Sequence, residues 1–76
     1  MKNVRAKFTC TSKEEKEGEQ KLVKFTAVMN GCEENKSFSR WTPAGTLEMW
    51  ISNETPAHDY FIEGEEYYLD FTKANI

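Results

Sequence analysis

The chain lacks almost everything that marks an enzyme, a membrane protein or a disulfide scaffold. One of its 76 residues is histidine, His58, and two are cysteine, Cys10 and Cys32. There is no glycine-rich phosphate loop, zinc-knuckle pairing or metal-ligand spacing, so the parts of phosphoryl transfer and metal-assisted hydrolysis are missing. Two cysteines are too few to staple a secreted fold, and neither has a motif-level partner. The acidic pairs Glu33-Glu34 and Glu65-Glu66 read as solvated charge, not as acid and base. No catalytic residue, metal or cofactor is expected. No apolar run approaches the roughly 20 residues of a membrane span, and the N-terminus MKNVRAKF lacks the apolar stretch of a signal peptide. The expected compartment is the cytoplasm.

An excess of basic charge is missing too. Lys and Arg number 10 against 13 Asp and Glu, a net charge of −3, whereas proteins that coat nucleic acid by phosphate contacts carry a cationic surplus. That argues against a DNA-coating role and leaves room for a local basic patch holding one small anion. Neither an internal repeat nor a low-complexity linker divides the chain, so residues 1–76 read as one domain. At this length folding buries only roughly 60–65% of the extended chain's surface, so stability is marginal. Assembly with a second copy would offset that.

What is present is alternation and aromatic bulk. Val4, Ala6, Phe8 and Cys10 alternate with Arg5, Lys7, Thr9 and Thr11, the period-two pattern of a strand wet on one face. Cys10 then reads as a small buried hydrophobe. Ser12 to Gln20 (SKEEKEGEQ) reads as a solvated hairpin connection. Val23, Phe25, Ala27 and Met29 face inward on a second strand, antiparallel to the first and ended by the Asn30-Gly31 turn signal. Acidic residues and the Phe38/Trp41 spacing predict a short helix over Glu33 to Arg40.

Thr42-Pro43-Ala44-Gly45 fits a type I turn. Leu47, Met49 and Ile51 then point inward on a third strand, and Trp50 points away. Thr55 and Pro56 predict an N-cap and first helical residue for one or two turns, closed by Glu63-Gly64. Tyr67, Leu69 and Phe71 make the inner face of a last strand. The fold class is mainly β with short helices: a small antiparallel sheet or partly open barrel of the OB or SH3-like sort, with a short helical insertion between strands two and three. Four strands leave two edges, and an edge can pair with a copy of itself.

The constellation with chemical content is aromatic plus cationic. Outward Arg5, Lys7 and Lys24, with Lys36 and Arg40 in the insertion, hold five of the ten basic residues. If the insertion folds over that face, Lys36 and Arg40 hold phosphates, Trp41 stacks a base, and Arg5 or Lys7 completes the charge. Stacking of this kind contributes about 1–3 kcal/mol per base. The competing reading has Phe38 and Trp41 closing the barrel end while the basic residues balance nearby carboxylates. Outward Trp50 and Tyr68 are candidates for a subunit or partner interface. His58 reads as a surface or capping residue.

Arg5-Ala6-Lys7-Phe8, Glu34-Asn35-Lys36-Ser37-Phe38, Thr42-Pro43-Ala44-Gly45 and Gly64-Glu65-Glu66-Tyr67-Tyr68-Leu69-Asp70-Phe71-Thr72 together resemble a family of small, largely uncharacterised proteins of tailed bacteriophages and prophages. The resemblance spans nearly the whole chain. It implies a setting, the host cell cytoplasm, and no mechanism. Small non-enzymatic phage proteins commonly act by binding. The leading expectation is a self-associating protein that counters host defence by sequestering a nucleotide immune signal. The alternative is a protein-interaction module, inhibiting a host effector or serving phage replication or assembly. A single-stranded-DNA-binding OB-like protein fits the aromatics but not the net charge, and would bind with a steep salt dependence.

Overall fold

The computed structural model describes residues 3–29, 35–36 and 44–75. Among these residues four strands form, β1 (Asn3–Lys16), β2 (Gln20–Ala27), β3 (Thr46–Ser52) and β4 (Glu66–Thr72), with a 3₁₀ turn, Pro56–Asp59, between β3 and β4. All neighbours are antiparallel and the spatial order is β3-β2-β1-β4. This is Greek-key order, in which three sequential strands lie side by side and the fourth returns beside the first. The sheet curls into a half-barrel, the mainly β architecture expected. Strands β3 and β4 are the rims of its open side.

Alternation along β1, β2 and β3 builds the core. Ala6, Phe8 and Cys10 from β1 meet Val23, Phe25 and Ala27 from β2 and Ile51 from β3, all buried. Leu47, Met49, Tyr67 and Leu69 pack against them half-buried, as does Phe61 from the segment after the 3₁₀ turn. Full burial of side chains this size contributes about 1.5–3 kcal/mol each, so these few residues carry most of the stability. The cysteine reading holds for Cys10, which is free, 1% exposed, and has its thiol pKa pushed up by burial.

A bulge at Thr11 reverses the faces of β1. Cys10 pairs with Phe25 and Ser12 with Lys24, leaving Thr11 as the extra residue. Beyond it the odd residues Lys13 and Glu15 stand opposite Val23 and Lys21 on the concave side. Their polar groups are satisfied there. Lys13 donates from Nζ to the Phe61 carbonyl at 2.9 Å and from its backbone to Glu63 at 2.8 Å. Lys21 Nζ lies 2.9 Å from Asn53 Oδ1, 3.0 Å from His58 Nδ1 and 3.3 Å from Glu15 Oε1. His58 therefore pins the 3₁₀ turn to the hairpin.

Several expectations need correction. The stretch Ser12 to Gln20 is mostly strand, with only residues 17–19 in the turn. The bulge lets charged side chains occupy a polar end of the half-barrel, so strand does not require apolar residues there. Gly18 and Glu19 both adopt positive φ, 87° and 55°, and Glu19 holds its conformation while its carbonyl accepts from Asn53 N–H at 3.0 Å. Strand β2 ends at Ala27, and Met29 is exposed instead of inward. Thr55 does not cap through its side chain. Its hydroxyl donates to the Ser52 carbonyl at 2.8 Å instead. Phe71 has the inward register but lies more than half exposed at the open side. Of the predicted helix over Glu33 to Arg40, only Asn35 and Lys36 fall among the described residues, and no α-helix occurs among those residues.

Asn35 is the one buried polar residue of the described set, at 0% exposure. It stands where β2 has ended and β1 continues. Its Oδ1 accepts from the Lys7 N–H, while its Nδ2 donates to the Lys7 carbonyl at 3.2 Å and the Val28 carbonyl at 2.6 Å. The side-chain amide thus substitutes for a ladder residue. Replacing it strands buried backbone groups, at about 1–3 kcal/mol apiece. Asn35→Leu is expected to lower the urea midpoint by the equivalent of about 2 kcal/mol or more with an unchanged m-value, and Asn35→Asp to fall between the two.

Candidate functional site

The open side of the half-barrel is a cleft of about 540 Å³. Phe8 and Phe25 form its floor, Leu47 and Met49 one wall, Tyr67 and Leu69 the other, and Phe61 one end. Its aromatic rings are fixed by each other. Phe61 stands edge-on to Phe25 at 5.1 Å, to Tyr67 at 5.2 Å and to Tyr60 at 5.0 Å between centroids, arrangements worth about 0.5–1.5 kcal/mol beyond burial. The Tyr67 hydroxyl accepts from Ile62 N–H at 2.9 Å and donates to the Tyr60 carbonyl at 3.2 Å, locking the 60–62 segment onto β4. At its mouth Tyr60 is 64% exposed and Tyr68, on the β4 rim, 52%. A smaller hollow of about 220 Å³ beside it is lined by Val4, Ala6, Phe8, Ala44 and Phe71.

Of the predicted cations, Arg5 and Lys7 lie on the convex face of β1. Arg5 forms a bidentate pair with Asp70, at 2.7 and 3.1 Å, and its guanidinium sits 4.5 Å from the centre of the Tyr68 ring. Lys7 pairs with Glu66 at 3.1 Å. These pairs follow from register, since Arg5 stands opposite Asp70, Lys7 opposite Tyr68 and Thr9 opposite Glu66 on β4. Lys36 is exposed next to Asn35, and so is held close to Lys7. Arg5, Lys7 and Tyr68 are thereby brought to one region, with Lys36 next in sequence to the Asn35 that anchors on Lys7. Arg40 and Trp41, and with them Phe38, lie outside the described residues, as does Cys32.

Trp50 points outward as expected and is 57% exposed, directly across the ladder from Leu22. Leu22 is buried on the convex face, a position that simple alternation had left unexplained. The aromatic wall made by Tyr60 and Phe61 was also missed. Its signal was the run Tyr60-Phe61-Ile62 between the 3₁₀ turn and Gly64, too apolar for a loop facing only water. Among the described residues no group of three His, Cys, Asp or Glu converges to hold a metal ion, and no helix is long and apolar enough to cross a membrane.

Two carboxyls are held below their ordinary pKa. For Asp70 the cause is first the hydrogen bonds from Arg5, and for Glu15 the bond from Asn53 and then that from Lys21. Because the folded-state values lie below the unfolded ones, this stabilisation is complete above about pH 4–5 and is lost as pH falls through the folded values. Both groups face solvent, so the effect is small. The urea midpoint is expected to stay level from neutral pH down to about pH 5 and to drop below about pH 4, with a shallower acid slope in Asp70→Asn.

Comparison with known protein families, with curated proteins and with solved structures finds no match to this chain.

Proposed function

We propose that the chain is a non-enzymatic protein-interaction module that receives an apolar segment of a protein partner in the cleft between β3 and β4. The observation that carries this reading is the mouth of the cleft. An aromatic trough in a soluble domain normally closes over itself, whereas here Tyr60 and Tyr68, both more than half exposed, border the opening, and Phe71, as exposed, lines the hollow beside it. Exposed aromatics around an apolar depression are the composition of a protein interface core. The resemblance to phage proteins supports a partner in the host cytoplasm, either a defence effector or part of the phage's own replication or assembly machinery.

The test is affinity capture from phage-infected cells with the wild-type chain and with Tyr60→Ala, Tyr68→Ala and Lys24→Ala variants. One dominant protein is expected with the wild type and with Lys24→Ala, and at least tenfold less of it with either tyrosine variant, a loss of about 1.4 kcal/mol or more. Equal recovery by all variants, or recovery of the chain alone, would sink the proposal.

A second reading, sequestration of a nucleotide signal, draws on Arg5 and Lys7 sharing one face and on Lys36 following the Asn35 that anchors to Lys7. It receives less support, because Asp70 and Glu66 already stand against the two strand cations. An anion binding there has to compete with both carboxylates. Calorimetry with a panel of cyclic and linear nucleotides at high micromolar protein is expected to give saturable heat for one of them if this reading holds. Absence of heat for the whole panel removes it.

A further inference from the structure

The structure assigns a second binding surface, on the rim of the cleft, to the outer edge of β3, and we infer that its occupant is β3 of a second copy of this chain, antiparallel and centred on Met49.

Among the described residues β3 pairs with β2 alone and stands at the end of the sheet order. Two hydrogen bonds flanking it fix which backbone groups face outward. Ala27 N–H donates to the Gly45 carbonyl and Asn53 N–H to the Glu19 carbonyl. In the same register Leu47, Met49 and Ile51 stand opposite Phe25, Val23 and Lys21 and turn their backbone groups to β2. The backbone groups of Thr46, Glu48 and Trp50 therefore point away from the sheet. Natural edge strands are blunted by lysine, proline, a bulge or shortness. Strand β3 is seven residues long, with neither Lys nor Pro, and its register with β2 is unbroken.

Charge and side-chain character choose the register. Two-fold antiparallel pairing centred on Glu48 would set two carboxylates directly opposite each other, which is destabilising. Centring on Met49 sets Glu48 of each copy against Trp50 of the other, and these residues exchange the outward backbone hydrogen bonds. On the concave side Met49 then meets Met49, and Leu47 meets Ile51, so only apolar side chains adjoin. On the convex side the exposed Trp50, with Leu22 beneath it in the ladder, gains a neighbour instead of water. The Ser52 carbonyl adds nothing to the pairing, because it is taken by Thr55. The two half-barrels become one continuous sheet.

Sedimentation equilibrium of the full chain, with no partner protein present, is the first measurement, and a reversible dimer is expected. Glu48→Pro removes a donor that faces the edge and leaves the ladder to β2 intact, as edge positions of this kind permit. It is expected to weaken the dimer by about tenfold or more, with far-ultraviolet circular dichroism unchanged. The second variant does not depend on the first. At a non-hydrogen-bonded antiparallel pair the Cα atoms lie about 4.5 Å apart, within disulfide reach. In a Cys32→Ser background Met49→Cys is therefore expected to form a cross-linked dimer under mild oxidation, while Leu47→Cys, facing Ile51, does not. A monomer at high micromolar concentration overturns the inference. So does cross-linking by Leu47→Cys as efficient as by Met49→Cys.

Discussion

Strand β1 is the member on which the rest depends, because it is shared by two sheets that would otherwise be separate. Its first half pairs with β4 and its second with β2, overlapping at Phe8 and Thr9. Each half alone would be a two- or three-stranded ribbon with too little apolar face to stand in water. Bending one long strand lets Ala6, Phe8 and Cys10 face β2, β3 and β4 at once, so a single run of small and aromatic side chains serves the whole core. The bend leaves backbone groups of β1 beyond the end of β2, and the Asn35 amide completes the ladder there.

Most of this architecture is legible in the sequence, because half-burial imposes a period of two wherever the face is apolar. Val4 to Cys10, Leu47 to Ile51 and Tyr67 to Phe71 show it directly. The reading stopped at Thr11, since one extra residue inverts the pattern and makes Lys13 and Glu15 look like loop. Asn35 was invisible for a different reason. A buried asparagine has the same letter as a solvated one, and its role depends on a break in β2 that the apolar pattern does not mark. The expected basic patch was legible as a list of cations but not as a field, because the carboxylates that stand against Arg5 and Lys7 are far away in the chain, in β4.

The outward face is therefore better described as a charge ladder than as a cationic pocket. Arg5 with Asp70 and Lys7 with Glu66 alternate in sign around Tyr68, a pattern that favours solvation and register over anion capture. The unsatisfied apolar surface lies elsewhere, on the open side and at the β3 edge. Those two surfaces have different chemistry. The cleft offers side-chain contacts to whatever enters it, and the edge offers backbone hydrogen bonds to another strand. A protein of this size that uses both can hold a second copy of itself and still present two open troughs, which doubles the sites available to one bivalent partner.

The bulge at Thr11 also sets how this chain tolerates change in length. Deleting Thr11 would remove the extra residue and close the ladder without a bulge, with Ser12 still opposite Lys24 and Lys13 opposite Val23, so Lys13 and Glu15 keep the concave side. A second deletion has no spare residue to absorb it and would put one half of β1 out of phase with β2. The three-residue turn at 17–19 carries no such phase, so the hairpin tip can lengthen freely while β1 cannot. The spacing of this strand is a stricter requirement than the identity of its charges.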